Sequence, residues 1–139
     1  MNHLSILTPI AAMTFPEANA TLSAVELENQ VPFSIKRIYY ISGADQKTIR
    51  GQHAHKNLSQ VFFATSGAFT LKVHDGLVEE TVRISSHGDG YLVPPGVWRS
   101  LENWTVDAVC LVLASNSYDS DDYIRSFSAF ISWKEGLRK

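Results

Sequence analysis

His53 and His55, separated only by Ala54 inside the stretch Arg50-Gly-Gln-His-Ala-His-Lys-Asn-Leu-Ser-Gln60, are the residues of this chain best suited to chemistry. Side chains alternate from face to face along a strand, so the two imidazoles point together and Ala54 points away. A neutral imidazole can take, return or share a proton near neutral pH, and it can ligate a metal. The pair alone does not choose between proton transfer, a metal site and polar filler. The surrounding elements must.

Most of the chain reads as short strands broken by turn residues. Val25 to Leu27 is a weak strand candidate. In Ile35 to Ile41, Ile35, Arg37, Tyr39 and Ile41 share one face, and Lys36, Ile38 and Tyr40 the other. The histidine strand follows a loop over 42–47. Further strands are read at Val61 to Ala64, Phe69 to His74, Val78 to Ile84, Tyr91 to Val93 and Ala108 to Ala114. Ser66-Gly67 and Pro94-Pro-Gly96 are corners, and Asp75-Gly76 reads as a two-residue hairpin loop. Only the tail has helical spacing: Tyr123, Ile124, Phe127, Phe130 and Ile131 recur over 120–135, with Asp119 or Ser120 as cap, Asp121 and Asp122 in the first turn, and Gly136 as the stop.

This pattern predicts a single all-β domain over 1–139, a sandwich or barrel with a C-terminal α-helix. Val61-Phe62-Phe63 and Val109 to Leu113 are apolar on both faces, so both faces require cover. A homodimer satisfies that; a monomer with the tail helix folded over this sheet is the alternative.

Composition narrows the function. The 139 residues are 45% hydrophobic and 19% charged, with a formal net charge of -2. That is an ordinary globular balance with no basic footprint for nucleic acid. The one cysteine, Cys110, cannot form an internal disulfide and suits a reducing cytoplasm. Leu4 to Phe15 is fairly apolar and Ala18-Asn19-Ala20 has small-x-small form. No Lys or Arg precedes that run, and Thr8 and Pro9 interrupt it, which argues against a secretory signal. No stretch approaches the ~20 apolar residues of a membrane span.

Two ordered signatures make the chain resemble the cupins, double-stranded β-helix barrels of jelly-roll type. In G-x5-H-x-H-x(3,4)-E-x6-G, His53, His55, Gln60 and Gly67 fall in register. In G-x5-P-x-G-x2-H-x3-N, Gly88, Pro94, Gly96, Arg99 and Asn103 do. Metal cupins ligate through the two His, the Glu and the later His. Here Gln60 replaces the Glu and Arg99 the His. A guanidinium offers no lone pair, and two imidazoles with an amide fall short of a catalytic metal set, so no metal or other cofactor is expected.

Three longer stretches are similar to the sugar-nucleotide 3,4-ketoisomerases of the WxcM-like group: Pro32-Phe-Ser-Ile-Lys-Arg-Ile-Tyr-Tyr-Ile41, Arg50 to Lys56, and Leu113-Ala-Ser-Asn-Ser-Tyr-Asp-Ser-Asp-Asp-Tyr-Ile-Arg125, with Pro94-Pro-Gly-Val-Trp98 between them. The resemblance implies a metal-free jelly roll, usually a dimer exchanging its N-terminal strands (here within 1–30). It implies an enzyme that moves the ketone of TDP-4-keto-6-deoxyglucose from C4 to C3 in deoxysugar biosynthesis. Two departures stand out. The family's D-x-R-G-x-L is here Glu17-Ala-Asn-Ala-Thr-Leu22, and its Trp-His-Glu is Trp98-Arg99-Ser100.

Moving a carbonyl to its neighbour needs a base for the C3 proton, stabilisation of the enediolate, and an acid to reprotonate C4. The expected catalytic residues are His55 as base, His53 as proton partner or orienter, and Tyr39 as donor to an oxygen. Arg37, Arg50, Gln60 and Arg99 are candidate contacts to the carbonyl or diphosphate, and Trp98 a stacking platform, although Trp98 and Tyr91 also suit packing. His3, His74 and His87 are expected in solvent. Other readings remain at this stage: an epimerase, a metal-dependent dioxygenase, or a module that holds a sugar nucleotide without turnover.

Overall fold

The computed structural model describes residues 5–139; His3 lies outside them. Two five-stranded antiparallel sheets face each other. The first runs β1 (Thr8–Ile10), β9 (Gly90–Val93), β6 (Gln60–Ser66), β11 (Val109–Ala114), β4 (Arg37–Ile41). The second runs β12 (Tyr123–Ile124), β5 (Arg50–His55), β10 (Trp98–Glu102), β7 (Ala68–His74), β8 (Glu79–Ser85). A separate hairpin joins β2 (Met13–Pro16) to β3 (Thr21–Ala24), and α1 covers Leu27–Gln30. This is an all-β barrel with a C-terminal helix, as the patterning predicts, and of the jelly-roll type that the resemblance implies.

Alternation decides what fills the space between the sheets. Phe62, Ala64, Cys110 and Val112 meet Phe69, Leu71, Val73, Ile84 and Leu101 in one buried cluster. The intervening residues Val61, Phe63 and Leu113 join a second cluster with Ile10 and Val31 on the outer side of the first sheet. The two corners carry the chain between sheets. Gly67, at φ +60, takes it from β6 to β7, and a Cβ there would press on Asp107 Oδ1 at 2.6 Å and the Ala108 backbone at 2.8 Å. Pro94-Pro-Gly96 takes it from β9 to β10.

Several expectations are corrected. Asp75-Gly76 opens a four-residue turn rather than a two-residue one: β7 and β8 close at His74 and Glu79, and Asp75 Oδ1 accepts from the Leu77 and Val78 N–H groups, both at 2.8 Å. Residues 25–27 are not a strand, since β3 ends at Ala24 and α1 begins at Leu27. The tail helix does not start at 120. Asp119 caps a 3-10 turn over Ser120–Asp122, and Tyr123 and Ile124 leave helical geometry to pair with His55 and Ala54 of β5. Only then does α2 (Phe127–Leu137) begin, with Ser126 Oγ accepting from the Ala129 N–H at 3.1 Å. It runs through Gly136.

The tail helix does not cover the first sheet, as a monomer with that helix folded over it would require. α2 lies on the outer face of the second sheet, where the fully buried Phe130 packs with Ala54, Ile124, Trp98 and Trp133. It therefore leaves the outer face of β6 and β11 to the N-terminal segment.

Candidate active site

The inner face of β5 carries both imidazoles, as the period of two requires. β10 runs beside it with Arg99 opposite His53, and β12 flanks the other edge with Tyr123 opposite His55. Across the barrel, β4 and β6 send in Tyr39 and Gln60. Two connected polar groups result.

In the first, Nε2 of His53 lies 3.1 Å from Nε2 of His55, the rings edge to face at 85°. Nδ1 of His55 lies 3.1 Å from Oδ2 of the buried Asp122. Tyr123 backs the pair, its ring centroid 4.3 Å from His55 and 4.7 Å from His53, and the Arg125 guanidinium stacks 4.2 Å from the Tyr123 centroid.

In the second, Arg99 is 4% exposed and donates from Nη1 to the Gly51 carbonyl at 3.0 Å. Its Nη2 donates to Gln60 Oε1 at 3.1 Å and to the Tyr39 hydroxyl oxygen at 3.3 Å. Gln60 Nε2 also donates to that hydroxyl, at 2.7 Å. With two donors on its oxygen, Tyr39 keeps its own hydrogen free to donate elsewhere.

The electrostatics follow from burial beside a fixed cation. Burial, then Arg99, holds His53 down to about 2. The same two causes lower His55 to about 4 although Asp122 pulls it upward. Both imidazoles are thus neutral at pH 7. Burial raises Tyr39 despite the opposing charge of Arg99, so it too is neutral. The site is a neutral acid–base pair facing a buried positive charge.

Arg99 stands where a metal cupin needs a ligand, and its Nη2 already donates to Gln60 Oε1. Among the described residues no three His, Cys, Asp or Glu side chains converge as a metal would require. The donor set does not fit a metal.

The structure brings together His53, His55, Tyr39, Gln60 and Arg99 of the residues picked from the sequence. Arg37 joins at the rim, its guanidinium carbon 5.3 Å from the Tyr39 centroid, and lines with His55 and Asp122 a cleft of about 30 Å³. Arg50 is exposed and makes no hydrogen bond to the cluster. Trp98 is a correction: it lies on the other face of the sheet, with ring centroids 5.5 Å from Phe127 and 5.9 Å from Phe130. As helix packing it cannot stack on a ligand beside the histidines. His87 is also bonded, to Ser23 Oγ at 2.6 Å, and His74 Nδ1 accepts from the Gly76 N–H at 2.9 Å. The stretch Glu17 to Ala20, where the family's arginine would fall, is the β2–β3 turn.

Asp122 and Tyr123 were missed as site residues. Both lay in a stretch read as a helix start, and nothing in helical spacing brings residue 122 to residue 55. Their signal was the quoted tail motif itself, whose polar residues exceed what a helix cap requires.

Comparison with known proteins identifies the family. Residues 7–135 match the WxcM-like, C-terminal (FdtA) family. The chain is 38% identical over 114 residues, 82% of each chain, to a TDP-4-oxo-6-deoxy-alpha-D-glucose-3,4-oxoisomerase of Aneurinibacillus thermoaerophilus. It superposes with a TM-score of 0.90 and 31% identity on QdtA, a sugar 3,4-ketoisomerase from Thermoanaerobacterium thermosaccharolyticum solved with TDP, covering 97% of this chain and 98% of that one. The TDP-quinovose 3,4-ketoisomerase WlaRB of Campylobacter jejuni gives 0.84 at 34% identity, covering 93% and 99%. The chain therefore belongs to the WxcM-like family of sugar-nucleotide 3,4-ketoisomerases.

Proposed function

We propose that this enzyme moves the ketone of a TDP-linked 4-keto-6-deoxy sugar from C4 to C3 through an enediolate, using the histidine pair for proton transfer. The observation that carries the reading is the pair of neutral, hydrogen-bonded imidazoles beside a buried guanidinium. The substrate's own carbonyl acidifies the C3 hydrogen. The bond to that hydrogen breaks toward imidazole, and its electrons become the enediolate. Arg99 and the Tyr39 hydroxyl face the oxygen where negative charge grows, and such preorganised donors are usually the largest single contribution to rate. Reprotonation at C4, with transfer of the C3 hydroxyl proton to the C4 oxygen, completes the shift. Positioned proton transfer supplies roughly 10²–10⁴-fold. No external oxidant is required, because the carbon oxidised and the carbon reduced are neighbours.

The working form in this reading is a cytoplasmic homodimer with no nucleic-acid or membrane partner. Among the described residues no helix is long and apolar enough to cross a membrane. The direct test is incubation with TDP-4-keto-6-deoxyglucose in heavy water, following the C3 proton by NMR. Loss of that signal with appearance of a C3 ketone supports the assignment. TDP binding without exchange at any sugar carbon would leave only a binding module.

A further inference from the structure

The face of the second sheet turned away from the histidines carries a cleft that the reaction does not use. Along β10, Arg99 and Leu101 point into the barrel, so Trp98, Ser100 and Glu102 point out. Ladder pairing sets His74 and then Glu79 beside Trp98, and Lys72 beside Ser100. α2 covers only one end of this face. Its first residue, Phe127, stands edge to face against Trp98 and His74, with ring centroids 5.5 and 5.2 Å away. Together these side chains line a cleft of about 370 Å³. That volume falls within the range of small-molecule sites.

The polar groups of the cleft are short of partners. Ser100 is 8% exposed, yet among the described residues its hydroxyl makes no hydrogen bond. A buried polar group left in that state is destabilising, and a ligand hydroxyl would relieve it. The Gly76 N–H donates to His74 Nδ1 at 2.9 Å. The hydrogen of the neutral ring is therefore on Nε2, where among the described residues nothing accepts it. Lys72 Nζ lies 3.7 Å from Glu79 Oε1 and 4.0 Å from Glu102 Oε1, both too long for hydrogen bonds. A hydroxyl set between them would accept from the ammonium and donate to a carboxylate. Donors and acceptors thus alternate beside two aromatic rings. A sugar ring matches this, with hydroxyls that both donate and accept around an apolar C–H face. Two carboxylates against one ammonium disfavour a phosphate or carboxylate ligand.

We infer that this cleft is a second binding site, for one uncharged pyranose, with Ser100 in its floor. It shares no side chain with the histidine cluster, so it stands whether or not the ketoisomerase reading does. The experiment is an NMR titration of the ¹⁵N-labelled full chain with D-glucose, D-galactose, D-mannose, L-rhamnose and N-acetyl-D-glucosamine, each with and without excess TDP. A hexose at the ligand efficiency typical of drug-sized molecules has a Kd on the order of 1–10 mM. At least one of these sugars should shift amides of β7 and β10 saturably in that range, and TDP should not displace it. Ser100→Ala and Glu102→Gln each remove one hydrogen-bonding group. At least one of them should weaken the sugar about threefold or more, the scale of one hydrogen bond, with the rest of the spectrum in place. D-glucuronate and D-galacturonate, each carrying a negative charge, should bind more weakly than the best neutral sugar. Four results would each overturn the inference. One is no saturable shift from any of the five up to about 50 mM, several times the expected Kd. The others are displacement by TDP, uronates that bind as tightly as the neutral sugars, and both variants falling short of the threefold loss. The wild-type titration decides whether a sugar binds even if a variant does not fold.

Discussion

Arg99 fills the space that a side chain at Gly51 would need. A Cβ at position 51 would collide with Arg99 Nη1, which instead donates to the Gly51 carbonyl at 3.0 Å, and the glycine sits at φ +67. Position 51 therefore needs glycine twice over, for the left-handed backbone and for the guanidinium against it. Gly51→Ala is expected to cost about 1–3 kcal/mol in a denaturant titration, the scale of a strained backbone. It should lower kcat by more than that loss explains, because it displaces the site's fixed charge. An Ala variant with wild-type kcat would show that Arg99 need not sit there.

The charge itself is tested by Arg99→Met, which keeps an unbranched side chain that tolerates burial and removes the guanidinium. Removing a preorganised donor at a developing oxyanion costs about 10²–10³ in kcat. The expectation here is a loss of that order with the fold retained. The His53 and His55 pKa values should rise together, since Arg99 follows burial among the causes that depress both. Single-turnover kinetics and an NMR titration read the two effects separately.

Stability should fall as pH drops below about 6.5, the ordinary histidine value. The folded pKa values are depressed, to about 4 for His55 and about 2 for His53, so the unfolded chain binds protons first. Their contribution is complete above the unfolded value and is lost progressively toward the folded ones, at up to about 1.4 kcal/mol per pH unit for each histidine. The groups around the pair are Arg99, Arg37, Arg125, Tyr39, Tyr123 and Asp122; of these only Asp122 favours the imidazolium. Urea midpoints from pH 7.5 to 5 check this, and His53→Gln/His55→Gln should flatten the slope. An equally steep double variant would place the titration elsewhere.

The barrel, the inward pair at His53 and His55, and the Tyr39 face were legible because a period of two leaves no choice of side once a strand is recognised. β10 was not read as a strand. Trp98-Arg-Ser-Leu-Glu102 buries an arginine and presents a tryptophan outward, the reverse of what an apolar count rewards. The Asp122 contact was illegible for a different reason. Its partner is 67 residues away, and the local sequence fits a helix start equally well. Pairing with β5 pulled Tyr123 and Ile124 out of the helix, a tertiary preference that no local window contains.

Trp98 and Phe130 separate packing from binding. Trp98→Leu should lower the melting temperature and leave KM for the sugar nucleotide unchanged, because the ring lies against α2 on the far side of the sheet from the histidines. Phe130→Ala, at a site 0% exposed, is expected to cost about 3–5 kcal/mol. A raised KM in Trp98→Leu at unchanged stability would return this tryptophan to the site.

The outer face of the first sheet bears on assembly. Ile38 and Tyr40 are 59% and 72% exposed, and Phe63, Leu111 and Leu113 line an adjoining apolar groove of about 450 Å³. Among the described residues β2 and β3 pair only with each other, so within one chain this hairpin has no larger sheet to extend. An apolar face of this kind on a monomer marks an interface more often than a solvated surface. Sedimentation equilibrium should therefore give twice the 15.5 kDa chain mass. Ile38→Glu places a charge in that face without touching the inner side of β4, and should shift the protein toward monomer while the His53 and His55 signals keep their positions. A wild type that sediments as a monomer at micromolar concentration would mean that the N-terminal segment alone covers this sheet.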